Sequence, residues 1–468
     1  MQGLSLAEGN ALFNQGEFAE SIHCYIKAAQ VEELISSCEI NISRAKLMRA
    51  KQKNAQNQSV AVAAWDLSHN AAGRAVTLLE LYRFGGVSAE LIGCVFKPER
   101  GIWPPVHYLS ELTHSFNFGE SECFLDDCLQ FVLQHPYDIV HLSKPRIVNL
   151  VLGFIYKAVW GSKVIMDVDD EELAFIEEEL PLSFAEFEAK SFASLPLDAA
   201  PWTQLAVGSV ALFDAITVSN PALQAKYGGL IIPHVRNEAV FTKAVTHRLR
   251  VRASLGVTAE DRLLVFVGTA RKHKGLLETA AALTQLNSKT IKFLIAGDFP
   301  DKNLKQQLQQ FSNVEFLFVT GPSLEDMPAL VSAGDICVLL QDPQSLVSQF
   351  QLPAKLIDAL AAGLQVFITP TAATQHIVDA GAAVAVTSES LAEALKLYLQ
   401  QDKPVNDTGS AYFSTHLSMA ANWPQLNALL TKHVSASALN HNLKGVLKHL
   451  TFKPDIFSFV KQMALMVR

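Results

Sequence analysis

Charge is scarce in this chain. Aspartate, glutamate, lysine and arginine make up 18% of its 468 residues, against 49% hydrophobic residues. That ratio excludes a disordered chain and supplies enough apolar sequence for two or three domains. Positive charge is scarcer than negative. The formal net charge of −8 argues against a general nucleic-acid binder. Cysteine is sparse too. Cys24, Cys38, Cys94, Cys123, Cys128 and Cys337 fall at no paired metal-ligand spacing, a usage that fits a reducing compartment. Cys123 and Cys128, set among acidic and apolar residues at helical spacing, read as core thiols. No basic segment followed by an apolar one opens the sequence, so no secretory signal is expected. No apolar run approaches the ~20 residues of a membrane span. The longest, Ile147 to Trp160, is interrupted by Asn149 and Lys157. A cytoplasmic protein is expected, with peripheral contact at the inner face of a membrane left open.

What is present falls into four segments. Residues 5–30, SLAEGNALFNQGEFAESIHCYIKAAQ, resemble one tetratricopeptide repeat. Gly9, Phe13, Gly16, Phe18, Ala19, Ile22, Tyr25 and Ala28-Ala29 stand where that repeat places its small and large packing residues. A single repeat cannot bury its own apolar face. Residues 1–58 are therefore expected to form a small helical appendage, with a second helical stretch at 31–52 and a polar linker at 51–59. It would dock on the main body, or pair with a protein partner or a second copy through residues 1–52.

From Val60 the pattern alternates. Apolar strands at 60–64, 89–95, 137–142, 163–167, 215–219 and 230–233 are separated by helical stretches, among them 121–134 and 147–160. A second alternating set begins at Leu263, with strands at 263–268, 292–296, 314–318, 335–340, 366–369 and 383–386. Such alternation predicts two doubly wound parallel α/β domains, at 59–240 and 241–400. Helices at 401–468 would pack back across them. Ligands of doubly wound sheets bind at the carboxyl ends of the strands. His69, Asn70, Arg74, His141, Lys144, Arg146, Asp167 and Asp169 all fall at such ends. Ala71, Ala72 and Gly73 permit close approach of a ligand to the first loop, where Arg74 could reach a phosphate.

The stretch Ser348 to Gly363, SQFQLPAKLIDALAAG, follows one of these strands. Pro353 suits the first helical position, since its φ is fixed and its missing N–H is not needed there. A strand, a polar loop and a helix N-terminus make an anion site, because the free first-turn N–H groups and the helix dipole both favour a phosphate. Lys355 and Asp358 share one helix face. Lys355 reads as a phosphate neighbour and Asp358 as an acceptor for a ribose diol. The backbone N–H groups near Gln351 and Leu352 would join them.

These features are similar to those of the GT-B glycosyltransferases, specifically the retaining family 4 group in a bacterial branch. GT-B enzymes place two Rossmann-like domains either side of a cleft. FVGTARKHKG resembles the family's segment that grips the donor diphosphate, and DICVLL with LPAKLIDALAAGLQVFIT resembles its second donor segment. WDLSHNAAGRA, HLSKPR, DVDDEEL, TVSNPALQAKYGG and IPHVRNEAVF extend the likeness over residues 60–400. The resemblance implies that Arg271 and Lys274 hold the diphosphate, with Gly268 and Gly73 beside it, and that Asp358 takes the ribose hydroxyls. His141 would sit beside the reacting sugar. His69, Asn70, Lys144, Arg146, Asp167 and Asp169 would meet the acceptor or line the cleft. The chain departs from the pattern at one point. The first of the family's two spaced glutamates falls near Gln349 or Phe350, where an amide can bond a sugar hydroxyl but cannot stabilise positive charge. The implied activity is retaining hexosyl transfer, as in polysaccharide synthesis, from a nucleotide diphosphate sugar to a glycan, a lipid-linked sugar or a protein. No cofactor or metal is implied beyond the donor itself. The carboxylates of DVDDEEL would suit a hard cation, but acceptor or domain contacts are expected of them. A transferase-like scaffold without catalysis and a nucleotide-sugar epimerase remain alternatives. Arg236 is expected to pair with Glu238, and Lys272 and His273 to be solvated.

Overall fold

A computed structural model of the protein describes residues 2–29, 31–52, 58–119, 123–190, 195–288, 290–401, 405–431 and 455–467. Its chain divides into two compact units. Met1–Val168, Glu172–Thr217 and Asn427–Arg468 make the first, and Asp169–Glu171 with Val218–Leu426 the second.

Two parallel sheets organise the chain. The first comprises β1 (Ser59–Ala64), β2 (Ser88–Val95), β3 (Thr113–Asn117), β4 (Ile139–Ser143), β5 (Lys163–Val168), β6 (Ala215–Val218) and β7 (Leu230–Ile231). The second comprises β8 (Arg262–Val267), β9 (Ile291–Ala296), β10 (Glu315–Val319), β11 (Ile336–Leu339), β12 (Gln365–Ile368) and β13 (Val384–Ala385). The strand orders are β3-β2-β1-β4-β5-β6-β7 and β10-β9-β8-β11-β12-β13. Each order reverses once, between β1 and β4 and between β8 and β11. Val62 lies beside both Leu91 and His141. The strands RLLVFV and IKFLIA, apolar but for Arg262 and Lys292, are buried along their whole length, as sheets covered on both faces require. Behind the second sheet, Leu356, Ile357 and Leu360 of the helix Ala354–Ala361 pack with Val265, Cys337 and Val366.

Several elements differ from the sequence pattern. No strand was expected between 96 and 120, yet β3 lies there, preceded by a 3-10 stretch at Pro104–Leu112. Its sequence THSFN is half exposed at the sheet edge, so it carries no continuous apolar signal. The helix expected at 121–134 is described from Phe124; residues 121–122 lie outside the described residues. Cys123 precedes it and is exposed, whereas Cys128 is buried, so only one of the pair is a core thiol. The helix between β10 and β11 spans only Met327–Ser332. Ser323 and Asp326 bond each other's backbone N–H groups, which holds the preceding residues in a turn. Pro353 is not the first helical residue but the cap before it, with ψ at 125°. The C-terminal helical stretch is seen as Met419–Thr431 and Ile456–Val467, and 432–454 lie outside the described residues. The linker residues 53–57 also lie outside them.

The N-terminal segment forms the helices Gln2–Gln15, Phe18–Ala28 and Ile35–Gln52. Gly9 allows the first two to touch, since a Cβ there would lie 2.6 Å from the Tyr25 ring. The third helix docks on the helix Ile147–Trp160 of the same unit. Lys46 donates to the Ala158 carbonyl at 2.6 Å, and Arg49 lies 5.1 Å over the Trp160 ring. Burial pushes the Lys46 ammonium down to about 8. Among the described residues, no helix is long and apolar enough to cross a membrane.

Candidate functional site

The second unit concentrates its unusual chemistry where its strand order reverses. β8 is followed by Gly268, whose φ of 122° turns the chain out of the sheet, and β9 by Gly297, with φ of 144°. Their backbones touch. A Cβ on Gly297 would lie 2.3 Å from the Gly268 carbonyl oxygen. The floor here is bare backbone, and the Lys355 side chain crosses it, its Cε 2.9 Å from where a Gly268 Cβ would stand. The Lys355 ammonium lies 4.9 Å over the Phe266 ring. Glycine is therefore a requirement of the fold at 297, and Gly297→Ala is expected to lower the melting temperature of the purified protein by several degrees.

Basic groups converge on this floor. After Arg271 a 3-10 turn carries Lys272, His273 and Lys274, and Gly275, at φ 68°, leads into the helix Leu276–Leu286. A Cβ on Gly275 would meet Leu340, beyond β11, at 2.4 Å, so the basic turn is held against the end of that strand. Their protonation equilibria report the crowding. Desolvation, then the charges of Lys274, Arg271 and Lys355, lowers the His273 imidazole. Burial and Lys274 push Lys355 down to about 8, against Cys337 and Asp358. Burial also lowers Lys274, opposed by Asp170 and reinforced by Arg271. Cations that destabilise one another's charge gain when an anion joins them. Arg271 and Lys272 are exposed, and Lys272 lies 3.8 Å from Asp301. Among the described residues neither Arg271 nor Lys355 has a carboxylate in ion-pair contact. The N–H groups of Gln351 and Leu352, just before the helix Ala354–Ala361, likewise have no described acceptor.

Asp358 is engaged. Its Oδ1 accepts from Arg236 Nε at 2.6 Å, and the expected partner of Arg236, Glu238, accepts from Ser414 instead. Glu238 begins a helix capped by Asn237, and the Arg236 side chain reaches Asp358. Gln349 is engaged at both ends of its amide. Its Nε2 donates to the Pro343 carbonyl and its Oε1 accepts from Ala372 N–H, so it ties two loops together. Gln351 Nε2 donates to Asp170 at 3.0 Å, and its Oε1 lies 3.4 Å from Lys274 Nζ.

The acidic loop after β5 distributes its carboxylates among separate partners. Asp169 meets His234 at 3.0 Å, and Glu171 meets Lys226 and Tyr227. Glu172 meets Arg146 and Lys144. The loop is a set of ties, and Asp170 and its contact with Gln351 were not singled out from the sequence. A repeated acidic run gives no sign of which carboxylate turns toward which partner.

In the first unit the strand-end residues form a buried chain. Arg74 binds Asp167 through two bonds, at 2.9 and 2.8 Å. Thr217 donates to Asp167 at 2.7 Å and bonds His141 Nε2 at 2.8 Å, while Tyr82 bonds His141 Nδ1 at 3.0 Å. His141 is 0% exposed. In this conformation neither its ring nitrogens nor the Arg74 guanidinium face a substrate. Both lie inside the fold because β4 is central in its sheet and Asp167 draws the guanidinium inward. Tyr82 and Thr217, which complete the chain, carry no sequence motif.

Burial lowers the His141 imidazole from 6.5 to about 4. Between those values the unfolded chain binds a proton that the folded chain excludes, so stability falls as pH drops from 6.5 toward 4. Denaturation midpoints at pH 7 and 4.5 are expected to differ more for the wild type than for His141→Gln.

Lys144 adopts a left-handed φ of 77°. The buried Asn149 amide holds that loop by donating to the Ser143 and Lys144 carbonyls at 2.6 and 3.0 Å. The polar residue that interrupts the apolar helix thus fixes the strand end. Arg146 also bonds Thr203 and lies over the Trp65 ring. His69 sits 3.1 Å from Asp66, and its Nδ1 lies 3.3 Å from Asn70. A Cβ on Gly73 would meet no atom within 4 Å, so the fold itself does not demand glycine there. Gly73→Ala is expected to leave the melting temperature unchanged, in contrast to Gly297→Ala.

Residues 261–401 match the family Glycosyl transferases group 1. No curated protein matches the chain by sequence. Among solved structures, the Anabaena protein HepE in complex with UDP-glucose superposes with a TM-score of 0.59 at 15% identity, over 80% of this chain and 100% of that one. The sucrose-phosphate synthase of Thermosynechococcus elongatus gives 0.58 at 17%, over 80% and 98%. A glycosyltransferase from Rickettsia africae gives 0.59 at 11%, over 81% and 100%. At these identities the likeness is one of fold. Residues 261–401 are thus similar to the Glycosyl transferases group 1 family, in a chain with the two-domain GT-B fold.

Proposed function

We propose that the protein transfers a hexosyl group from a nucleotide diphosphate sugar to an acceptor hydroxyl, with retention of configuration and without an essential metal. The observation that carries this reading is the convergence of Arg271, His273, Lys274 and Lys355 on the glycine-lined ends of β8 and β9. Such a cluster suits a ligand with several negative charges, and a leaving diphosphate has them. Because HepE was solved with UDP and with UDP-glucose, a uridine donor is the first to try.

In this reading the C1–O bond to the diphosphate breaks while the acceptor oxygen forms its bond to C1 on the same face. The acceptor's proton passes to the departing phosphate oxygen. Negative charge grows on the diphosphate, and cations fixed in place beforehand stabilise it more than water does. Positive charge grows on the sugar ring, as at other glycosidic centres. Arg271 and Lys274 face the diphosphate, with Lys355, Gly268 and the N–H groups of Gln351 and Leu352. Asp358, bonded through Oδ1 to Arg236, is assigned to the ribose diol. Gly73 lets the donor approach the first loop. His69, Asn70, Lys144, Arg146 and Asp169 are assigned to the acceptor side, which is a glycan, a lipid-linked sugar or a protein, whereas Asp167, 0% exposed and bonded to Arg74 and Thr217, stays with the buried chain.

One observation favours a second reading, a scaffold with weak or no catalysis. The carboxylate that the family resemblance leads one to expect near Gln349 or Phe350 is missing, and both ends of the Gln349 amide bond loops. A screen of nucleotide sugars for released nucleotide diphosphate separates the two. Slow hydrolysis of one donor supports the transferase. Nucleotide binding without release from any donor, with or without acceptors, supports the scaffold.

A further inference from the structure

Lys274 in the cation cluster has a built-in counter-ion in Asp170. Asp170 is buried, accepts from Gln351 Nε2 at 3.0 Å, and opposes the lowering of the Lys274 ammonium. Gln351 in turn bridges to Lys274 at 3.4 Å. The residues on either side of Asp170 are clamped. Asp169 is held by His234, and its carbonyl by the Ser219 hydroxyl at 2.7 Å. Glu171 is held by Lys226 at 2.7 Å and Tyr227 at 2.8 Å. The backbone next to Gln351 is fixed as well, since Asn220 donates to the Phe350 carbonyl at 2.8 Å. Asp170 is therefore presented to Gln351 and Lys274 by a rigid frame.

We propose that Asp170 is a specificity-determining residue that competes with the donor's phosphates for Lys274 and Gln351. A carboxylate carries one negative charge on two oxygens, and so resembles a single phosphate in what it offers a lysine and an amide. A ligand with one weakly charged phosphate gains little by displacing it. A diphosphate brings more charge and a second group for Arg271 and Lys355, and it displaces the carboxylate. The device thus selects nucleoside diphosphates over monophosphates and free phosphate. It rests on the donor-site reading above, and the test separates the two.

The probes are inorganic pyrophosphate and inorganic phosphate, titrated by calorimetry into the full-length protein and its variants. When a competing arrangement fills the site in most molecules, the apparent affinity falls by the fraction left competent. Its removal is therefore expected to tighten binding by about tenfold. Asp170→Asn keeps an acceptor for Gln351 and loses the charge. It should bind pyrophosphate about tenfold more tightly than the wild type, and phosphate should gain at least as much. Asp170→Glu should restore the weaker binding, and Lys274→Ala should remove binding in either background. Unchanged or weaker pyrophosphate binding in Asp170→Asn, with Lys274→Ala still disruptive, overturns the competition and leaves the donor site standing. Pyrophosphate binding that is absent, or indifferent to Lys274→Ala, overturns the donor site and this inference with it.

Discussion

Replacing Lys274 with alanine should lower turnover of the identified donor by about a hundredfold to a thousandfold, the scale for removing one donor that meets charge developing in the transition state. Its ammonium is half-buried, lies next to Gln351 and is pressed by Arg271 and by burial. Arg271→Ala should cost less, about tenfold, because Arg271 is exposed and solvent screens an exposed charge. Both losses should appear mainly in kcat, since charge on the leaving diphosphate is greatest in the transition state. Unchanged kcat in both variants would remove these residues from the site.

The second large effect is on stability. Arg74 and Asp167 have side chains 1% and 0% exposed and share two hydrogen bonds. Truncating one partner of a buried pair strands the other, at a cost of about 3–5 kcal/mol. Arg74→Ala would leave the Asp167 carboxylate with Thr217 as its remaining neighbour in the His141 chain. With roughly 2–4 °C per kcal/mol for a domain of 150–250 residues, the melting temperature should fall by about 10 °C. The paired replacement Arg74→Met with Asp167→Leu should recover much of that loss, because no uncompensated charge remains. The opposite result, an Arg74→Ala protein of unchanged melting temperature that binds nucleotide poorly, would return Arg74 to the phosphate role its sequence position suggests.

Sequence period and strand-end position carried most of the architecture. The runs LLVFV and VIMDV read as buried strands, and the helix 147–160 was legible at its end, where Gly161 stops it with φ at 66°. β3 was not legible, since an edge strand has no need of continuous apolar residues. Within the site, the position of the basic turn followed from Arg271 to Gly275 and the strand before it. Its partners did not. Gln351 meets Asp170 across 181 residues of sequence and Arg236 meets Asp358 across 122, and no local pattern encodes such pairings. Burial misled the reading of Arg74 and His141. Strand ends line ligand crevices, but the last inward-facing residue of a strand can equally be sealed by its neighbours, as Tyr82, Thr217 and Asp167 seal His141.

The central claim is that the basic turn after β8 holds a nucleotide diphosphate. Calorimetric titration of UDP and GDP into the wild type and Lys274→Ala tests it most directly. The account predicts saturable binding of at least one of them by the wild type and its loss in the variant, with the melting temperature of the variant preserved. Wild-type protein that binds neither nucleotide at millimolar concentration, or a Lys274→Ala protein that binds as tightly as the wild type, would contradict it.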